Sequence, residues 1–399
     1  MIKEKLNISA KALMTCELIN KIIDLFLNTF LVAYLLNITN ENIGAVAIYY
    51  IIDYFITGIF IYILSFFLKK YKLSNIYRIG IVLKCIFVII IVFLKQDIQN
   101  YLVLIAFILG IAETAYWGPC DNLVGYVTNN ENRTKYTANK KILGSIIKII
   151  MPVILGTSIE LFTFYKVSTY VLILAIIQVI VSLFIKVENE NNEKFNLKGF
   201  LNSLKNNPQK DRLKNIYKVS IIYGVLLNLI PTLVTIIIMM TFKTNFQLGV
   251  LNTLFAICSM LVVYLFKKFY NTKNSKIILL VGGFISLASV ISLILNIGKP
   301  ELIIYNFISN SFIVILEMIF NIERFNNIEN GIEEKYIIEN QTFIIMIMQI
   351  GRVVGYGLLF IASILNNIIY FKIILLLATI CIPFYSIYMY RLQKVGVLK

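Results

Sequence analysis

The chain has 399 residues, of which 59% are hydrophobic and only 15% charged, with a formal net charge of +16. That composition excludes an ordinary soluble domain, so the bilayer is the relevant solvent. Five scattered cysteines (Cys16, Cys85, Cys120, Cys258, Cys381) and the absence of histidine exclude a disulfide framework, a zinc centre and histidine-based catalysis.

Met1 to Lys11 is polar and basic like the start of a signal peptide. The apolar stretch behind it is too long and has no small-x-small cleavage site, so it reads as a retained first span. A hydrocarbon core of roughly 30 Å needs about 20 helical residues. Apolar runs of that size, bounded by charge, Asn or Pro, fall at 12–36, 44–68, 76–94, 101–125, 140–160, 167–185, 219–241, 246–266, 276–297, 302–322, 338–364 and 368–390. The expected fold is an all-α membrane protein of about twelve spanning helices. Its expected division is a six-helix bundle over 1–185, a cytoplasmic linker over 186–218 and a second bundle over 219–399. In the linker, Phe195, Leu197, Phe200, Leu201 and Leu204 fall at near-helical spacing before Pro208, which suits either a short helix at the headgroup boundary or a plain solvated linker.

An even number of spans puts both termini on one side. With the N-terminus cytoplasmic, the only Lys and Arg on outer segments are Lys95, Lys166, Lys243 and Lys299, and the rest of the loop cations lie inside. The expected location is the plasma membrane with both termini cytoplasmic. Basic residues distributed in short loop runs do not form a nucleic-acid patch.

Ionisable groups within spans are costly and are the functional candidates. Glu17, Lys21 and Asp24 share one face of the first span at i, i+4, i+7. They form either a self-neutralising ladder or a proton or cation site on Asp24 or Glu17, with Lys21 as neighbour or as anchor for an anionic substrate group. In the fourth span Glu113, Trp117 and Asp121 share a face, which is the favoured one. Trp117, the only tryptophan, suits either stacking beside Glu113 or simple packing. Asp53, Lys148 and Arg352 are further cavity candidates, and Lys372 lies close enough to a span end to snorkel. Pro152, Pro231 and Pro383 are expected to kink their helices.

The two halves resemble each other. Leu68-Lys69-Lys70-Tyr71 matches Phe266-Lys267-Lys268-Phe269, and Lys135-Tyr136 with Asn139 matches Lys335-Tyr336 with Asn340. Glu113 corresponds to Glu317 and Asp24 to Asn228, all at offsets of 198 to 204. A six-plus-six duplication follows. Glu317, Asn321 and Arg324 mirror the favoured face, which makes Asp121 and Arg324 candidates for a gate salt bridge.

With those features the chain resembles the major facilitator superfamily of secondary transporters over nearly its whole length. That family carries a Gly-x-x-x-Asp-Arg-x-Gly-Arg-Arg type motif between spans two and three. The matching stretch here, Ser65-Phe66-Phe67-Leu68-Lys69-Lys70-Tyr71-Lys72, keeps the position and the positive charge but not the glycines or the aspartate. Of the exporter pattern in the fifth helix only Pro152 and Gly156 remain. The resemblance implies two pseudo-symmetric bundles and transport of a small solute by alternating access. It also places Lys84 on an outer supporting helix, where snorkelling or a structural pair is expected.

Without histidine, carboxylates are the natural proton carriers, so coupling is expected through Glu113 and Glu317 with Asp24 as third candidate. The mixed lining points to a zwitterionic or amphiphilic substrate. The expected partners are the bilayer, a small solute and protons or another ion, for a monomer with no cofactor, metal or nucleic acid. The competing reading is a non-transporting sensor or assembly partner that kept the architecture. A membrane enzyme is excluded by the absence of a nucleophile triad, a metal constellation or a Gly-x-x-x-x-Gly-Lys-[Ser/Thr] loop.

Overall fold

The computed structural model describes residues 6–129, 132–187, 194–269, 275–296, 298–365 and 368–396. Within these, the side chains of 134, 227, 266–269, 275–279, 322–331, 368, 390 and 392–396 lie outside the description. The helices run in chain order as α1 (Ile8–Leu25), α2 (Val32–Ile38), α3 (Ile43–Leu68), α4 (Leu73–Leu94), α5 (Leu102–Val127), α6 (Arg133–Phe162) and α7 (Phe164–Ser182). There follow α8 (Leu197–Lys205), α9 (Lys210–Phe242), α10 (Asn245–Phe269), α11 (Ser275–Leu295), α12 (Lys299–Gly331), α13 (Ile337–Ile364) and α14 (Ile368–Gly396). A π-helical turn, Phe26–Leu31, joins α1 to α2 without a break.

Each expected span finds its helix. Among the described residues ten stretches are long and apolar enough to cross a membrane, and Leu280–Leu295 is a shorter apolar helix. One of the ten, Leu73–Val127, holds two of the expected spans, because the 3-10 stretch Lys95–Tyr101 carries α4 directly into α5. Two helices, α1 and α8, begin where a side chain replaces a missing backbone partner: Asn7 accepts from the Ala10 amide at 2.7 Å, and Asn196 accepts from the Gly199 amide at 2.8 Å.

The chain folds into two compact units. The first comprises Met1–Glu41, Ile52–Phe195 and Thr244–Thr253, the second Asn42–Ile51, Asn196–Lys243 and Leu254–Lys399. In the first unit, α6 and the start of α10 meet through glycines. A Cβ on Gly156 would strike the Asn245 carbonyl, and one on Gly249 the Pro152 carbonyl. In the second, Gly224 of α9 lies against the Met348 carbonyl and Gly351 of α13 against the Ile221 carbonyl. Lipid tails are as apolar as leucine, so such helices are held by close backbone approach rather than by expulsion of water. Ile59, Phe66, Phe107, Ile173 and Phe284, all more than 40% exposed, illustrate the apolar outer surface this leaves.

The tightest approach in the first unit joins α4 to α5. Gly80 lies against the Tyr116 backbone, with the Ala115 carbonyl carbon 2.6 Å from where a Cβ would stand. Pro119 lies inside α5 and has no amide for the Ala115 carbonyl. Pro152, Pro231 and Pro383 also lie inside continuous helices, α6, α9 and α14. Gly80→Val is expected to destabilise the protein by roughly 1–3 kcal/mol through overpacking against backbone. Gly125→Ala, where nothing stands within 4 Å, should leave the melting temperature in detergent unchanged. Equal melting of both variants would contradict this account of the α4–α5 contact.

The predicted linker helix is α8, and its one buried side chain is held by other parts of the protein. Phe200 is fully buried, with its ring 6.0 Å from that of Tyr336 and 6.2 Å from that of Phe343. The Asn196 amide donates to Glu339 Oε1 at 2.9 Å. Alternation of apolar and lysine residues shows amphipathicity, whereas the aromatic slot that receives Phe200 is built by residues more than a hundred positions away.

Candidate functional site

A lysine in the middle of an apolar helix organises the first unit. Lys84 lies about 15 Å of helix from either end of α4, well beyond what a four-carbon stem can snorkel. Its side chain is wholly buried, and its ammonium bonds to Asp24 Oδ1 at 2.6 Å and Glu113 Oε1 at 2.5 Å. Asn20 Oδ1 accepts a third bond at 2.9 Å, while Asn20 Nδ2 donates to Asp24 Oδ2 at 2.7 Å. The Tyr116 ring centroid lies 5.1 Å from the ammonium, and the Tyr77 hydroxyl donates to that of Tyr116 at 3.1 Å. The Asp24 and Glu113 side chains remain 21% and 22% exposed.

Three helices therefore each contribute one charge within the apolar stretch: α1 gives Asp24, α4 gives Lys84 and α5 gives Glu113. Gly80, one turn from Lys84, sets how closely α4 and α5 approach. The π-helical turn begins two residues after Asp24, in a position such turns often take near functional groups. Two carboxylates share one ammonium, so the set carries one surplus negative charge when all three are ionised.

A second cluster binds Glu17. Its carboxylate, nearly buried, pairs with the Lys140 ammonium and accepts from the Tyr136 hydroxyl at 2.6 Å and the Cys120 thiol at 3.3 Å. This ties α1 to α5 and α6. The local Glu17–Lys21–Asp24 ladder is thereby corrected: both carboxylates take their principal partners from other helices, because burial demands more donors than one neighbouring lysine offers. Lys21 instead extends across α6, where a Cβ on Gly144 would fall on its ammonium. Of the two expectations for Lys84, snorkelling or a structural pair, the structure shows the pair, buried and shared between two carboxylates.

The remaining candidates are not gathered at the triad. Trp117 is 45% exposed and stands edge-on to Tyr116 with ring centroids 5.0 Å apart. Tyr116, one position earlier, is the ring beside the ammonium. Asp121 and Lys148 are exposed, Asp53 is buried, and the Arg324 side chain lies outside the described residues. Lys372 donates to the Ile294 carbonyl at 2.7 Å, closing the end of α11.

The second unit presents a neutral polar array. Tyr356 donates to the Asn228 carbonyl at 3.1 Å and pairs with Thr232 at 2.7 Å. Tyr305 pairs with Thr379 at 3.1 Å, and Asn310 donates to Asn306. Buried Asn228 Oδ1 and Asn306 Nδ2 have no partner among the described residues. Arg352 donates to Gln349 Oε1 at 3.2 Å, and Glu317 is half-buried. At the offset of 204 that relates Asp24 to Asn228 and Glu113 to Glu317, Lys84 corresponds to Ala288.

The family model of the Major Facilitator Superfamily matches residues 13–322. The chain belongs to this superfamily. Its fold is similar to that of a mutant of the nucleoside transporter NupG, with a TM-score of 0.69 at 14% identity over 98% of this chain and 100% of that one. A bacterial homologue of the iron transporter ferroportin in inward-facing state gives 0.68 at 11% identity over 98% and 100%. A mutant of the peptide transporter POT in complex with alafosfalin gives 0.68 at 12% identity over 96% and 95%. A search of curated protein sequences finds no match. As a superfamily member the chain is a multi-pass membrane protein of the transporter class.

Sequence reading finds Asp24 and Glu113 but misses what joins them. The likeness to outer helices puts Lys84 at the periphery, although its depth in α4 already rules out snorkelling. Asn20, four residues before Asp24, carries a second overlooked signal.

Proposed function

We propose that this protein is a secondary active transporter that moves a small solute by alternating access and couples it to protons through the Asp24–Lys84–Glu113 triad. The observation that supports this most is the surplus carboxylate in a buried ion set. A balanced pair would hold helices together, whereas two carboxylates on one lysine leave a charge for a proton or solute to neutralise. In a low-dielectric surrounding such a charge is a strong attractor. The triad draws on three elements at membrane depth, where superfamily transporters handle solute and ion. In the second unit, Asn228, Thr232, Tyr356 and Asn306 offer hydrogen bonds without charge. Glu317 and Arg352 stand apart from the coupling role assigned to Glu113. The protein is read as a monomer in the plasma membrane with both termini cytoplasmic.

Vesicles containing the purified chain and a trapped pH-sensitive dye test this reading. Presented with a panel of amines, amino acids, nucleosides and sugars, they are expected to show solute-dependent proton movement absent from empty vesicles. Counterflow without any proton movement would reject proton coupling, and no counterflow with any solute would reject transport.

A further inference from the structure

The position of the Lys84 ammonium identifies what the site is shaped to hold. Two carboxylate oxygens, an amide oxygen and the face of a tyrosine ring surround it. These are the groups that recognise an alkylammonium ion, combining charge-assisted hydrogen bonds with cation–π attraction. The lysine is buried behind the carboxylates, and the carboxylates retain the exposure. Lys84 thus occupies the site as a ligand tethered from behind.

We propose that Lys84 is an internal competitor for a cationic, ammonium-bearing solute, and that the solute's arrival on Asp24 and Glu113 expels one proton from Lys84. This deepens the reading of the triad as the coupling site and rests on it. In the step, one Nζ–H bond of Lys84 breaks, its electron pair stays on nitrogen and the proton passes to water. The solute keeps its own N–H bonds and donates them to the carboxylates. The triad carries one net negative charge before the exchange, and the triad with bound solute carries the same afterwards. One positive charge enters as one leaves.

Among the described residues the charged groups that bond to Lys84 are Asp24 and Glu113. On α4 itself the other titratable side chains are Tyr77, Cys85 and Arg78, which donates to the Ser182 and Ile185 carbonyls, and α5 presents Tyr116 beside Glu113. On α1, beyond Asp24, Lys21 extends across α6, and Glu17 is engaged by Lys140 of α6. On α7, which also packs on α4, the only charged residue is Lys166 at its far end, and the Lys95–Tyr101 stretch carries Lys95 and Asp97 beyond the end of α4. An anionic solute would meet the surplus negative charge and be repelled. Among the described residues no group of three or more His, Cys, Asp or Glu is placed to hold a metal ion.

Calorimetric titration of the full-length purified protein with ethyl-, benzyl- and phenethylammonium tests the proposal, with benzoate and benzyl alcohol as matched anion and neutral. Repeating each titration in buffers of different ionisation enthalpy counts the protons released. The expected result is binding of at least one of the three amines with one proton released, an affinity that rises about tenfold per pH unit, and no binding of benzoate or benzyl alcohol. Lys84→Gln should bind the same amine more tightly, release no proton and lose the pH dependence. Binding of none of the amines, preferential binding of benzoate, or amine binding to wild type without proton release overturns the proposal, and the wild-type count decides even where Lys84→Gln yields no folded protein. Amine binding with proton release but no flux in vesicles would instead reject the transporter reading while leaving this one standing. Proton-coupled flux of an anion would do the reverse.

Discussion

Lys84→Met is expected to lose about 3–5 kcal/mol of stability, because it strands two carboxylates in the bundle without their cation. Against a total stability of about 5–15 kcal/mol, that loss is a large fraction and lowers the melting temperature clearly. The methionine fits the stem's volume, so cavity formation is not the cause. Lys84 is wholly buried, with Asp24 and Glu113 both bonded to its ammonium. Adding Asp24→Asn and Glu113→Gln to Lys84→Met should restore stability, since a buried ion set replaced as a whole by neutral groups of similar shape is often no less stable. Size-exclusion profiles and melting in detergent read both outcomes. A Lys84→Met single variant as stable as wild type would remove the triad as a structural centre.

Glu113→Gln and Glu317→Gln, which the sequence presents as equivalent, are expected to behave differently. Glu113→Gln leaves Lys84 paired one-to-one with Asp24, so the helices stay together but the surplus charge is gone. The variant should fold normally, exchange solute in counterflow and fail to respond to an imposed pH gradient. Glu317 has Ala288 where the repeat would place a lysine. Glu317→Gln should therefore retain pH-driven flux, with any change confined to apparent affinity. The same trapped-dye vesicles read both variants. Loss of coupling in Glu317→Gln with coupling kept in Glu113→Gln would transfer the role to the second unit.

The spans were legible because lipid imposes a single length scale on apolar sequence. Even the continuity of α4 into α5, which the sequence divides at Lys95, changes no span boundary by more than a few residues. The carboxylates of the site were legible for the same reason, since Asp24 and Glu113 interrupt apolar runs at a cost that demands a partner. Partners across helices were not. Helical periodicity shows which residues share a face, and it correctly puts Glu17 and Asp24 together, yet their burial is satisfied by Lys140 and Lys84, which lie 123 and 60 positions away. Gly80 likewise reads as one small residue in an apolar helix until the Tyr116 backbone is found against it. Tyr116 rather than Trp117 stands beside the ammonium, and that depends on helix rotation, which one residue of phase decides.

Solute accumulation at equilibrium, with the membrane potential clamped at zero and a pH difference of one unit imposed, tests the coupling role of the triad most directly. One proton moving per solute gives wild-type vesicles an accumulation of about tenfold, while Glu113→Gln vesicles should equilibrate the same solute to equal concentrations on both sides. Tenfold accumulation persisting in Glu113→Gln would contradict the account and place the coupling proton elsewhere.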